Sequence, residues 1–383
     1  MTAPKLRLAG FKEPWSPKRL GATGRILQER TSDFARYPLY SLTIEKGVTK
    51  KTERYERGFL VSKTGDIFKI VHPGNFVTNP MNLRFGAVGY SKEKDDVSVS
   101  GYYDVFELDD NKCSPFWFNF LKREEMKKRY EDIATGSLIE KKRVHVNDLL
   151  NLELPIPELN ERKSLGEYLT SLDRLIDAEV LRLESLRKLK VACLEKMFAR
   201  NGERVPGLRL AGFVEDWHVT KVGDLLDYEQ PQKYIVANKD YQKTGTPVLT
   251  AGKTFILGYS QEKTGICTDV PVIIFDDFVT CSKYVNFRFK VKSSAVKILR
   301  LKDKSNSLFF VYMLMQHLGC RARYHQRHWI SEYSQMSVKV PAPEEQVAIS
   351  NFFMKIDQSI SSVEGRIKGF KRLRRACTER MFV

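Results

Sequence analysis

Three small constellations in this 383-residue chain have side chains that could do chemistry. Asp132, Glu140 and Lys142 echo the D…E-x-K cluster of a nuclease, but that pattern is short and common in a chain rich in lysine and glutamate. His317, Cys320, His325 and His328 have loosely metal-like spacing, whereas structural zinc sites carry tighter Cys or His pairs. Asn79-Pro80-Met81-Asn82 only partly matches the adenine-methylase tetrad, an Asn or Asp followed by Pro-Pro-aromatic. No G-x-x-x-x-G-K-[ST] cradles a nucleotide, and no G-x-G-x-x-G follows a strand. The expectation is a non-catalytic chain with no metal ligand and no cofactor of its own. An aromatic and basic nucleic-acid face explains Tyr324, His325, Arg327, His328 and Trp329 more simply.

The charge balance points the same way. Sixty-four Lys and Arg against 47 Asp and Glu leave a formal charge of +17. Such a surface gains free energy by displacing counterions from phosphates. The N-terminus shows no apolar signal region, and no run approaches the roughly 18–20 apolar residues of a membrane span. Six cysteines without a C-x-x-C are not a disulfide framework, so a reducing cytoplasm is expected.

Contacts to DNA need Arg, Lys, Asn, Gln, Ser, Thr or Tyr on loops held by a rigid sheet. In the first half of the chain the candidates are Asn82, Arg84, Tyr90, Ser91, Lys92, Ser100 and Tyr102, with Lys46, Lys50 and Lys51 as backbone contacts. In the second half they are Lys253, Tyr259, Ser260, Gln261, Lys283, Tyr284, Arg321, Arg323, Arg327 and His328.

These candidates sit inside a duplicated frame. LRLAGF occupies 6–11 and again 208–213, and at the same offset of 202 Trp15 meets Trp217 and Gly21 meets Gly223. A second pair of segments matches at an offset of 184. Glu161 falls on Glu345, Asp173 on Asp357, and the closing Ala192, Cys193, Glu195, Met197, Phe198 on Ala376, Cys377, Glu379, Met381, Phe382. The organisation read from this is a leader at 1–21 packing with the C-terminal helix end, a body at 22–154, and a long helix at 155–200. A second leader at 201–223, a second body at 224–340 and a second long helix at 341–383 follow. The bodies read as α+β, with helices at 114–130 and 306–318. Both contain Gly-Tyr-Ser-x-Glu-Lys, at 89–94 and 258–263, which suggests one fold with two surfaces.

Pro-x-Pro marks each long-helix start. The apolar seam of the first helix reads Leu165, Leu169, Leu172, Ile176, Leu183, Leu186, Leu189, Cys193 and Met197, with Glu179 as its one break. That of the second reads Ile349, Phe353, Ile356, Ile360, Val363, Ile367, Phe370, Leu373, Cys377 and Met381. Spacings of three and four make a heptad seam, and two such seams of equal length predict that each helix buries the other. The repeat order implies a pseudo-twofold circular arrangement in which each leader seats its body at a helix end. Leu6, Leu8 and Phe11, with Leu208, Leu210 and Phe213, would be its packing residues.

In this frame the chain resembles the specificity subunits of type I restriction-modification systems. The carriers are the paired LRLAGF…W leaders, the Pro-x-Pro-Glu helix starts, the twin helices ending in Met-Phe, and body strings such as GDIFKIVHPGNFVTNPMNLRFGAVGYS. The resemblance implies two target-recognition domains of mixed α/β structure, each reading one half of a split, asymmetric DNA site. It implies two long helices that form an antiparallel coiled coil, separate those domains and set the half-site spacing. Double-stranded DNA, two methylation subunits carrying S-adenosylmethionine, and restriction/motor subunits would be the partners, with no membrane. Arg162 departs from the Gln that often follows Glu in this family, while Glu345-Gln346 keeps it. Two other readings compete: a stand-alone nucleic-acid-binding coiled-coil protein, and a DNA methyltransferase or nuclease with unrecognised motifs. Neither predicts divergent bodies inside repeated frames.

Overall fold

The computed structural model describes residues 3–45, 47–50, 67–138, 142–200, 202–250, 254–278, 280–319 and 328–383. The chain divides into two compact units, Met1–Val180 with Arg366–Val383, and Leu181–Gly365. The boundary between them falls inside the long helices. Each unit therefore holds a leader, a body, the start of one long helix and the end of the other.

The long helices run Leu159–Lys196 and Pro343–Arg380, 38 residues each, or about 57 Å. Acidic residues occupy both first turns, Glu161 in one and Glu344 and Glu345 in the other, where the helix dipole favours negative charge.

Each unit opens with the same strand pair. Ser16–Arg19 runs antiparallel to Glu153–Ile156, and His218–Lys221 antiparallel to Ser337–Val340. Next comes a four-stranded antiparallel sheet with one spatial order in both units. In the first unit the order is Gly24–Leu27, Asp104–Leu108, Phe76–Thr78, Val88–Tyr90. In the second it is Leu226–Glu229, Val296–Leu301, Val272–Asp276, Ser282–Val285. The smaller sheets differ. Arg30–Thr31, Phe68–Val71 and Val97–Val99 pair antiparallel, whereas Thr246–Leu249 pairs antiparallel with Ile256–Ser260 and parallel with Lys290–Val291.

This topology corrects one expectation. Gly89 and Tyr90 lie in the edge strand of the four-stranded sheet, but Gly258, Tyr259 and Ser260 lie in the three-stranded sheet. The shared hexapeptide is not a structural equivalence; Ser282–Val285 is the counterpart of Val88–Tyr90. A few residues specify a strand but not the sheet it joins, which depends on remote partners. It is strand order, rather than the shared string, that gives the two bodies a common fold.

The helix expected at 114–130 is two, Ser114–Leu121 and Glu124–Asp132, and that expected at 306–318 is Leu308–Leu318, capped by the Ser307 hydroxyl accepting from the Phe310 amide at 3.3 Å. In the first unit Trp15 of the leader, Phe116 and Phe120 of the body and Phe382 beyond the second long helix form one aromatic cluster, with Phe382 5.6 Å from Phe116 and 6.4 Å from Trp15 between centroids. In the second, Phe198 lies 5.4 Å from Phe310 and 6.3 Å from Trp217. Leader, body and helix end thus share a core in each unit.

The helix seams pack antiparallel within each unit. In the first, Asp173 meets Arg374 at 2.8 Å while Glu179 meets Arg366 at 2.9 and 3.0 Å. In the second, Arg187 meets Glu364 at 2.6 Å and Lys190 meets Asp357 at 2.5 Å. Leu165, Leu169, Leu172, Cys193, Ile349, Phe353, Ile356, Val363, Ile367 and Cys377 are buried; Ile176, Leu183, Leu186, Ile360 and Phe370 are half-buried. Leu189 and Leu373, expected on the seam, are 48% and 44% exposed. The residues one step on, Lys190 and Arg374, face the opposite helix and pair with Asp357 and Asp173. An uninterrupted heptad continues 183, 186, 190, 193, 197 and 367, 370, 374, 377, 381. Apolar periodicity alone chose the leucine because it cannot see a cation whose partner is on another helix. The Glu179 break has the same explanation, since Arg366 grips it with two hydrogen bonds.

Among the described cysteines, Cys113, Cys193, Cys267 and Cys377 are buried free thiols, and Cys281 is disulfide-bonded. Burial pushes the Cys113 thiol to about 11. No described helix is long and apolar enough to cross a membrane.

Candidate nucleic-acid interface

The repeated leader positions each body. Arg7 bonds both carboxylate oxygens of Glu161 at 2.7 Å, and Arg209 bonds those of Glu345 at 2.8 and 2.7 Å. The carboxylates are only 1% and 2% exposed. Each guanidinium also donates to a leader carbonyl, of Glu13 and of Glu215. The hydrogen bonds to Glu161 and Glu345 raise both arginine pKa values against the opposing effect of burial. The leader backbone caps the other long helix of its unit, with the Leu6 amide donating to Arg380 O and the Leu208 amide to Lys196 O, both at 2.9 Å. Gly10 and Gly212 sit at φ +96° and +94°, a left-handed turn that glycine adopts without strain.

So the hexapeptide works through its arginine, its glycine and its backbone. Leu8 and Leu210 pack against the cores, but Leu6 and Leu208 are exposed, contrary to their expected packing role. An arginine between two leucines gives no sign of a buried carboxylate about 150 residues away, so sequence reading passed over this clamp.

On the body surfaces, Lys50, Asn82, Lys92, Tyr102, Gln261 and Lys283 are exposed. Lys92 lies two residues past the edge strand of the four-stranded sheet, its ammonium 5.8 Å from the centroids of both Tyr90 and Phe118. Lys122 stands 4.8 Å over the same Phe118 and donates to Ile44 O at 2.6 Å. Burial, then the charges of Lys127 and Lys92, hold the Lys122 ammonium below the usual lysine range. The hairpin carrying Lys50 packs against this edge where Gly47 meets Gly89. Lys92 and Lys122 therefore gather around one aromatic edge. In the second unit the equivalent strand carries Lys283 and Tyr284, whose ring lies 5.0 Å from Phe309 and 5.9 Å from Tyr312. Sequence reading missed Lys122 and Phe118, which lie in and just beyond a helix rather than on a loop.

Other candidates take different places. Ser91, Ser260 and His328 are buried, His328 to 1% exposure, so their side chains are held inside the fold rather than presented to a ligand. Arg84 is half-buried and pairs with Glu131 at 2.5 Å, and Lys142 bonds the same carboxylate at 2.9 Å; both serve an ion-pair network at the surface. Tyr90 is half-buried, and burial followed by the charge of Asp173 raises its pKa, which ties it to the long helix. Tyr284 is likewise half-buried and raised by burial. Ser100 accepts from the Tyr102 amide at 3.4 Å, Gln261 donates to Thr244 O at 2.7 Å, and Tyr259 pairs through its backbone with Gln242. Lys46, Lys51, Lys253, Arg321, Arg323 and Arg327, with Glu140, Cys320 and His325, lie outside the described residues. His317 stacks on Phe198 at 5.5 Å and its Nδ1 lies 3.0 Å from Leu194 O, a packing role.

The sequence matches the family described as type I restriction modification DNA specificity domain twice, over residues 35–188 and 214–371. The chain belongs to that family. The first match begins inside the first body and the second inside the second leader, and each runs into a long helix, so there is one family domain for each repeat. One relative is the type I restriction enzyme EcoR124I/EcoR124II specificity subunit of Escherichia coli, 41% identical over 175 residues, 43% of each chain. Another is the putative type I restriction enzyme MjaX specificity subunit of Methanocaldococcus jannaschii, 23% identical over 272 residues, 65% of this chain and 63% of the relative. The chain thus spans less than two thirds of either curated relative. The crystal structure of a type I restriction-modification system S subunit from M. genitalium aligns over 100% of this chain and 99% of its own, at TM-score 0.64 and 13% identity, which is a likeness of fold.

Proposed function

We propose that this chain is the DNA-specificity subunit of a type I restriction-modification complex. Each body, 22–154 and 224–340, reads one half of a bipartite, asymmetric duplex site, and the paired helices set the unread spacer and dock two methylation subunits. Those subunits carry S-adenosylmethionine, and restriction/motor subunits complete the assembly. The observation that carries the reading is the repeated build, one sheet order and one Arg–Glu clamp in two units whose exposed side chains differ. Family membership and the +17 charge support it.

The decisive measurement maps methylated adenines in host DNA with and without the gene. A two-part motif that disappears on deletion is expected; an unchanged methylome refutes the reading. The basic edges give a second expectation. Lys92→Ala and Lys283→Ala should each weaken DNA binding by the assembled methyltransferase and lower the slope of log K against log salt by about 1 for each phosphate the lysine neutralises. Slopes equal to wild type in both variants would remove these lysines from the interface.

A further inference from the structure

The two frames share their spacing and a set of fixed residues rather than their overall sequence, and the positions where each helix start touches its own body are among those that differ. At the offset of 184, Arg162 corresponds to Gln346 and Gly166 to Ser350, while the neighbouring Glu161/Glu345 clamp and Asp173/Asp357 pair are unchanged.

In the first unit Arg162 is buried, with Nε 2.8 Å and Nη2 3.1 Å from the carboxylate of Asp109. Asp109 also accepts from the Trp117 indole at 2.8 Å. Gly166 lets the body helix approach closely: a Cβ there would stand 3.0 Å from the Phe116 amide nitrogen and 3.4 Å from Pro115. In the second unit the joint uses neutral groups. Gln346 accepts from the Ser307 amide at 3.0 Å and donates to Asn306 Oδ1 at 2.8 Å, and the Ser350 and Ser307 hydroxyls are 2.7 Å apart.

The position of Asp109 is occupied by Lys302 in the second body. Each is the first residue past its strand, and the Asp109 amide donates to Thr23 O as the Lys302 amide donates to Leu225 O, partners offset by 202. A body seated on the wrong helix start would leave the buried guanidinium of Arg162 without the Asp109 carboxylate, or leave Asp109 opposite an uncharged Gln346. An unpaired buried charge is costly. A serine in place of Gly166 would crowd the body helix as well.

We propose that residues 162 and 166, and their counterparts 346 and 350, form a keyed joint that matches each recognition body to its own long helix. The joint goes beyond the DNA-reading function proposed above and does not depend on it, because its first readout is folding. Chain order fixes which body precedes which helix; the joint makes each body stable beside its own helix start and so limits exchange of bodies between the two places.

The test is a double-mutant cycle in the full chain with Asp109→Lys, Arg162→Gln and the pair together, followed by thermal unfolding. Asp109 has φ 52°, and the strain of a lysine there is common to both variants carrying it, so it cancels in the cycle. D109K should lower Tm by about 5 °C or more, and adding R162Q should recover at least half of that drop. Additive losses overturn the proposal. A chimera with residues 224–340 in place of 22–154 supplies the second arm. With R162Q and G166S it should fold and be more heat-stable than with Arg162 and Gly166, and methylome sequencing should then show the second half-site duplicated. Equal stability of the two chimeras overturns the keyed joint; if neither chimera folds, the cycle decides alone. A restored Tm with no change in motif would leave the joint standing and refute the DNA-reading assignment.

Discussion

Replacing Arg7 by alanine should lower the stability of the unit that contains it by about 2–4 kcal/mol, and Arg209→Ala should do the same in the other unit. Each removal leaves a glutamate that is 1–2% exposed without its bidentate partner. Breaking a buried pair from one side costs about 3–5 kcal/mol. We take the lower part of that range because both guanidinium groups keep some solvent contact. The clamp also orders the leader, whose backbone caps the second helix of the unit through Leu6 or Leu208, so the damage spreads beyond the ion pair itself. Removing charge from both sides is the informative control. A Glu161→Gln, Arg7→Met double variant should be more stable than R7A, because a neutral amide costs less to bury than a lone carboxylate. Urea unfolding with hydrogen-exchange readout of peptides from each unit checks both statements. A change under about 0.5 kcal/mol for R7A, the range of an ordinary surface substitution, would show that the repeated arginine is not a clamp.

Phe382→Ala should destabilise the first unit by about 3–5 kcal/mol, the range for truncating a buried phenylalanine. Its ring packs among Trp15, Phe116 and Phe120, and Arg123 covers it at 5.4 Å. Phe198→Ala is the matched variant for the second unit, where that ring meets Trp217, Phe310 and Phe353. Loss of hydrogen-exchange protection should be concentrated in residues 1–180 and 366–383 for F382A and in 181–365 for F198A. If both variants loosened the same peptides, the division of the core into two units would be wrong. The pair also tests the leader–helix-end core directly, since each phenylalanine comes from the long helix that does not begin in that unit.

The parts of this protein legible in sequence were those written as spacing. The offsets of 202 and 184 delimit the frame, and they reappear as equal strand registers, Ser16 with Ile156 and His218 with Val340. Heptad spacing located both helices to within a few residues. The four-stranded sheets were legible only as strand-rich stretches, because their order depends on pairing between segments far apart in the chain. Gly-Tyr-Ser was misleading for that reason, as an identical string entered two different sheets.

Among the candidate contacts, residue type alone could not tell a presented side chain from a retained one. Lys283 lies exposed on an edge strand and Lys92 exposed just past the equivalent strand, while Arg84, equally plausible by type, is held in an ion pair with Glu131 and His328 is buried. What the sequence by itself determined is the duplicated frame, its helical periodicity and the positive charge that calls for a polyanion. Tertiary structure alone decided that the leader acts through Arg7 and Arg209 rather than through Leu6 and Leu208, that the seam turns through Lys190 and Arg374, and that Arg162 answers Asp109. The physical reason is common to all three. Periodicity is set by neighbours along the chain, whereas the energy of a buried charge is set by a partner that folding brings from somewhere else.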